Sequence, residues 1–162
     1  MILALARKAI LVDTGVLIAA FHARENSDRS LEARYFLEVY DGPLLVPIVV
    51  VEALGWLIGS RKDRDGASSL LTWLNAPNRA TIIPLRRVEV DMTQYLMETF
   101  SIDGVDAMLV ELATFITEDC DLRPALPIAT FDTGDFLRMY RWQGIKFSVW
   151  DVANDELIAL DS

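Results

Sequence analysis

The 162-residue chain has a single cysteine and a single histidine. Cys120 alone cannot close an internal disulfide, which excludes a disulfide framework and a cysteine-rich zinc site and is compatible with a reducing compartment. Basic charge is also scarce: 15 Lys and Arg stand against 24 Asp and Glu, a formal net charge of −9. That balance argues against a generic nucleic-acid coating protein, which carries a basic stripe. It leaves room for an enzyme whose clustered carboxylates hold divalent cations, because the bound metal then meets the phosphates. Long apolar runs are missing as well. Stretches such as Gly42 to Val51 stop well short of the ~18 residues of a membrane span. Met1 to Ala9 places Arg7 and Lys8 after a short apolar segment, the reverse of a secretory signal. A cytoplasmic protein with no membrane contact is expected.

What the chain does have is apolar mass: 52% of its residues are hydrophobic and 24% charged. One globular domain follows, on a prior of roughly 150 residues per domain. The run Ala9-Ile10-Leu11-Val12-Asp13 reads as a strand buried on both faces and ending in an acid. Helical spacing follows at Val16, Leu17, Ala20 and Phe21. Asn26-Ser27-Asp28 offers caps for a second helix near Arg29 to Tyr40, ended by Asp41-Gly42-Pro43. A short strand at Leu44 to Val46 leads to Pro47, which suits the first turn of a helix reaching about Gly59.

The polar segment Ser60 to Gly66 separates that helix from another at Ala67 to Asn75, before a strand at Ala80 to Leu85. Helices near Val88 to Phe100 and Val105 to Glu118 follow. After the proline-containing loop Glu118 to Pro127, the run Ile128-Ala129-Thr130-Phe131 again meets an acid, Asp132. Lys146 to Trp150 is expected to be a last, edge strand, and 151–162 an acidic, loosely held tail behind a domain of residues 1–150. Strands alternating with helices imply an α/β fold with a mostly parallel sheet flanked by helices. In such folds ligands sit beyond the carboxyl ends of strands, where Asp13 and Asp132 are both expected.

Glu52 lies between apolar turns, so its carboxylate is expected against packed surface or at the margin of a pocket. Taken alone, it reads best as a core-edge acid paired with arginine. Asp106 opens a helix whose apolar stripe is Val105, Met108, Leu109, Leu112 and Ile116, and taken alone it is a first-turn acid. Asp103 fits the cap role better. Asp132 and Asp135 flank Thr133-Gly134, an ordinary turn composition; Asp135 is placed to cap Phe136 to Met139, which leaves Asp132 the better candidate for chemistry. Four acids from four elements repel one another unless neutralised. Oxygen donors without His or Cys suit Mg²⁺ or Mn²⁺. Metal-assisted phosphodiester hydrolysis is the reaction such a set fits.

The segments Ile10-Leu11-Val12-Asp13-Thr14, Val51-Glu52-Ala53-Leu54, Gly104-Val105-Asp106-Ala107-Met108-Leu109-Val110 and Ile128 to Phe136 resemble, in order and spacing, the successive motifs of PIN-domain ribonucleases. The similarity is greatest to the VapC-like toxins of toxin–antitoxin pairs and runs from about Ile10 to Trp150. The resemblance implies a Mg²⁺- or Mn²⁺-dependent endoribonuclease acting on RNA, a homodimer, and inhibition by a cognate antitoxin. By position, Asp13, Glu52, Asp106 and Asp132 match the acidic tetrad that binds metal and carries catalysis. Asp135 matches an accessory metal-binding acid, and Thr14 and Thr130 match hydroxyls beside the site. Asp103 is a supporting acid. The loop Glu118 to Pro127 is longer than in many compact relatives.

Rival readings are weaker. The triplets Asp13-Thr14-Gly15 and Asp132-Thr133-Gly134 invite an aspartic-type hydrolase with two carboxylates sharing a proton, but both lead into helical patterns. A phosphatase of the haloacid-dehalogenase type wants an acid where this chain has Gly15. A PIN-like module that binds RNA or protein without cutting is the serious alternative, since fold does not establish activity. Arg138 and Arg141 lie close in sequence to Asp132 and are candidate substrate contacts; Arg61, Lys62, Arg64, Arg86 and Arg87 read as ordinary surface charge. His22 reads as a surface or helix-end residue, and Trp56, Trp73, Trp142 and Trp150 as packing or interface.

Overall fold

The computed structural model describes residues 8–47, 49–83, 90–140 and 144–158. Its elements run β1 (Ile10–Val12), α1 (Thr14–Phe21), α2 (Asp28–Val39), β2 (Leu44–Val46), α3 (Val49–Gly55), α4 (Arg64–Leu74), β3 (Ala80–Ile82), α5 (Val90–Phe100), α6 (Gly104–Asp119), β4 (Pro127–Thr130), α7 (Thr133–Met139), β5 (Ser148–Asp151) and β6 (Glu156–Ile158). The strands form one sheet in the order β3-β2-β1-β4-β5-β6. Every pairing is parallel except the last, where β6 runs antiparallel to β5.

The centre of the sheet explains the composition of its strands. Ile10, Leu11 and Val12 are fully buried, as are Ile128 and Ala129 on the neighbouring β4. Strands covered by helices on both faces need apolar residues at successive positions rather than alternate ones. Helix α1 packs on α2, α3 and α4, while α6 packs on α5 and β4, and α7 on β5. Phe136, Met139, Phe147 and Val149 close the core on the β5 side. The chain order reverses between β1 and β4: β2 and β3 extend the sheet one way, β4 and β5 the other. That reversal opens a crevice beyond the carboxyl ends of β1 and β4, where an α/β sheet accepts ligands.

Several boundaries move from the sequence expectation, each for a local reason. Helix α3 starts at Val49 and continues as a π-helical turn, Trp56–Ser60. Helix α4 begins at Arg64 rather than Ala67, because Asp63 caps it by accepting the Gly66 N–H. The C-terminal expectation is corrected more substantially. Strand β5 is interior, and Glu156–Ile158, placed in a loose tail from composition, pairs with it as the edge strand. Asp151 makes this possible: its carboxylate accepts from the Ala153 and Asn154 N–H groups and from Asn154 Nδ2, folding the turn that returns the chain. Both Asp-Thr-Gly triplets lead into helices within this α/β fold, at Thr14 and Thr133, whereas an aspartic-type hydrolase would need an all-β chain.

His22 is buried at the end of α1, not on the surface. Its Nδ1 accepts the Arg24 N–H at 3.2 Å and lies 3.3 Å from Asp63 Oδ2, and its ring meets Trp56 edge-on. Asp63 therefore joins two helices: it caps α4 and also accepts the Ala23 N–H at 2.7 Å, just past α1. The Gly66 N–H, with help from Ala23 and His22, holds the Asp63 carboxyl below the usual carboxylate range. Gly66 is required by this close approach, since a Cβ there would lie 2.3 Å from the Phe21 carbonyl oxygen. Asp63→Ala removes a cap and a second backbone acceptor together, with an expected loss of about 2 kcal/mol in denaturant unfolding. A midpoint unchanged from wild type would contradict this role.

Candidate active site

Asp13 follows β1 directly, and its backbone N–H extends the pairing to β4 by donating to the Ala129 carbonyl at 3.0 Å. The residue is only 7% exposed. It stands at the N-cap of α1 without a side-chain cap bond, and the Thr14 backbone N–H is the helix-end group that acts on its carboxylate. Asp132, after β4, repeats the arrangement at the N-cap of α7, also without a side-chain cap bond. Asp103 behaves differently: its Oδ1 accepts the Val105 and Asp106 N–H groups at 2.8 and 2.9 Å and caps α6. Asp103 is thus the structural acid of its pair, and Asp106, in the first turn of α6, lies within the electrostatic reach of Asp13, Asp132 and Asp135. Contrary to the sequence expectation, Asp135 does not cap α7; it sits in the first turn and is ion-paired to Arg138.

Two hydroxyls tie the elements together. Thr130 is fully buried; its Oγ1 donates to Asp13 Oδ2 at 2.8 Å and accepts the Asp132 N–H at 2.9 Å. One side chain therefore sets the position of two acids across the β1–β4 crevice. Thr14 Oγ1 donates to Glu52 Oε2 at 2.5 Å, linking α1 to α3. Glu52 itself is exposed, so of the two expectations for its carboxylate the one facing packed surface is excluded. Helix α3 buries Val49 and Ala53, four residues apart, and turns Val51 and Glu52 outward. Here apolar neighbours in sequence were not burial in space.

The electrostatics show that the acids act on one another. Burial pushes the Asp13 carboxyl up to about 6, against the opposing hydrogen bond from Thr130 and reinforced by the charges of Asp132 and Asp103. Asp106 is pushed further, to about 8, by burial and then by Asp13, Asp103, Asp135 and Asp132. Residues from β1, α6, β4 and α7 thus meet at one edge of the sheet. Thr130→Val removes a bond that favours the ionised form of Asp13, so the carboxyl should titrate measurably above 6 in carbon-detected NMR. A titration midpoint that stays put or falls would show that the hydroxyl does not act on Asp13.

In donor type and charge this group suits a hard divalent cation: the donors are all oxygens, and their mutual repulsion is what a cation relieves. Among the described residues, no three such groups lie close enough in their present rotamers to ligate one ion. Closure on a cation would require side-chain turning, with Glu52 leaving or sharing its Thr14 bond. Arg138, a candidate substrate contact, is engaged by Asp135. Arg141, Arg86, Arg87 and Trp142 lie outside the described residues. The sequence reading missed Arg29, whose guanidinium stacks over Phe131 with 4.6 Å between Cζ and the ring centroid. No local pattern marks that pairing, which arises only when β4 docks beside α1 and α2.

An α/β sheet with a buried Asp13 and further acids gathered at its reversal point defines the architecture, and residues 10–141 match the model of the PIN domain. The chain belongs to the PIN-domain family. Its fold is shared with solved chains from two assemblies. One is a toxin–antitoxin complex from Klebsiella pneumoniae, 19% identical with a TM-score of 0.52, covering 83% of this chain and 93% of that one. The other is VapBC2 from Rickettsia felis bound to a DNA fragment from their promoter, 16% identical with a TM-score of 0.57, covering 88% and 99%. No curated protein matches the chain. No helix among the described residues is long and apolar enough to cross a membrane.

Proposed function

We propose that this PIN domain is a divalent-cation-dependent endoribonuclease of the toxin type, hydrolysing RNA phosphodiester bonds. The observation that carries the reading is the gathering of acids at the β1–β4 crevice, where the charges of Asp132 and Asp103 act on Asp13 and those of Asp13, Asp103, Asp135 and Asp132 act on Asp106. Asp13, Glu52, Asp106 and Asp132 would hold Mg²⁺ or Mn²⁺, with Asp135 as an accessory acid. The cation would supply an acidified water and positive charge opposite the phosphate. Thr130 holds Asp13 Oδ2 by a buried hydrogen bond, and Thr14 anchors Glu52 Oε2. Burial and the neighbouring acids raise the Asp106 carboxyl to about 8, so a cation held there would favour its ionised form and draw off its proton.

The toxin assignment rests on the assemblies that supply the structural neighbours, and on apolar surface of the kind protein partners cover. Leu31, Tyr35 and Val39 form an exposed stripe along α2, and Val51 and Ile58 are exposed on α3 and the turn behind it. An antitoxin and a second copy of the chain are the partners this reading assigns. The test is incubation of structured RNA with purified protein in Mn²⁺, Mg²⁺ or EDTA. Cleavage in either metal and none in EDTA is expected. Metal-independent RNA binding without cleavage would instead favour the non-catalytic module.

A further inference from the structure

Arg29 occupies an unusual place for a cation in so acidic a crevice. It is exposed in the first turn of α2, and Phe131, on which it stacks, lies between Thr130 and Asp132. A Cβ built on Gly15 would lie 3.6 Å from Arg29 Nη2 and 3.7 Å from Asp13 Oδ2. An atom seated above Gly15 thus contacts both the guanidinium and the catalytic-site carboxylate. Among the described residues, Arg29 forms no salt bridge. The charged neighbours acting on Asp13 and Asp106 are the other acids. The Phe131 ring holds the guanidinium with its Cζ 4.6 Å from the ring centroid, and no described residue pairs with its N–H groups, which is how arginine is organised to grip a phosphate.

The geometry points to Arg29 as the residue that positions the RNA backbone, binding a substrate phosphate above Gly15 beside Asp13. This rests on the ribonuclease reading and adds the attractive charge that reading lacks. The acidic surface repels RNA, and Arg138 is taken by Asp135; Arg29 supplies an anchor within reach of the site. Phe131 holds the side chain in place, so the pair acts as one unit. Gly15 leaves the gap between the two charges open without needing any unusual backbone angle.

The test compares wild type, Arg29→Ala, Arg29→Lys and Phe131→Leu by fluorescence anisotropy on a labelled single-stranded RNA across a salt series, with Mn²⁺ affinity and cleavage kinetics measured alongside. Arg29→Ala should weaken RNA binding about tenfold and reduce the magnitude of the salt slope by about 0.7, the value for one phosphate contact on a single strand. KM should rise by a similar factor while kcat changes by less than about threefold. Mn²⁺ affinity should stay within about twofold. Arg29→Lys should recover the salt slope but only part of the affinity, because lysine keeps the charge and loses the planar stack. Phe131→Leu should show the same partial loss with an unchanged slope. A wild type that binds and cleaves RNA beside an Arg29→Ala with the same affinity and slope would overturn the assignment and leave the activity standing. A wild type that neither binds nor cleaves would overturn the ribonuclease reading, and the role of Arg29 with it.

Discussion

Asp13→Asn is expected to lower kcat/KM for metal-dependent RNA cleavage by about a thousandfold or more, roughly 4 kcal/mol of transition-state stabilisation. The substitution keeps the size of the side chain and an oxygen able to accept the Thr130 hydroxyl bond, so the fold should survive. What is lost is the buried negative charge at the reversal point of the sheet. Asp103→Asn serves as the matched control. Its carboxylate caps α6 through two backbone N–H groups, so the expected effect is a small loss of stability with most activity retained. Equal losses in the two variants, or an active Asp13→Asn protein, would contradict the division between a chemical acid and a capping acid.

The second large effect concerns pH in the metal-free protein. Asp13 and Asp106 hold their protons more tightly when folded than in the unfolded chain, where an ordinary Asp titrates near about 3.9. Their contribution to stability is therefore fully present below about pH 4 and is lost as the pH rises through 6 for Asp13 and 8 for Asp106. The rise of Asp13 from 3.8 to about 6 corresponds to about 3 kcal/mol, or about 10 °C in Tm for a domain of this size. Calorimetric scans in EDTA should give a higher Tm at pH 5 than at pH 8.5. Asp106→Asn should raise the Tm at pH 8.5 and flatten the dependence, because it removes a charge that the folded state resists. A wild type more stable at pH 8.5 than at pH 5 in EDTA would contradict the repulsion on which the site depends.

The parts of the molecule legible in the sequence were those where one physical constraint acted locally. Strands β1 and β4 announced themselves because burial on both faces demands unbroken apolar runs, and the acids that end them stand where α/β sheets put ligands. The cap at Asp103 was legible for the same reason, as a short-range match between an acid and a helix start. The sequence leaves the placement of Glu52 open between packed surface and a pocket margin because the apolar residues around it suggest burial, whereas α3 hides only one of its faces. Strand β6 was missed because its short apolar run, Leu157 to Leu160, lies among acids, and its strand state comes from pairing with β5 and from the Asp151 turn. Arg29 and Phe131, and likewise Asp63 and Ala23, are distant partners that only the assembled fold brings together.

The central claim is that Asp13, Asp106 and their neighbours form one electrostatic centre that exchanges protons for a divalent cation. Calorimetric titration of the metal-free protein with Mn²⁺ at pH 7, in buffers of different ionisation enthalpy, measures that exchange directly. With Asp106 titrating near 8 and Asp13 near 6, about one proton should be released per protein on binding. The number should fall towards zero by about pH 9.5 and in Asp106→Asn at pH 7. Mn²⁺ binding with no proton release at pH 7, or no binding at all, would contradict the account.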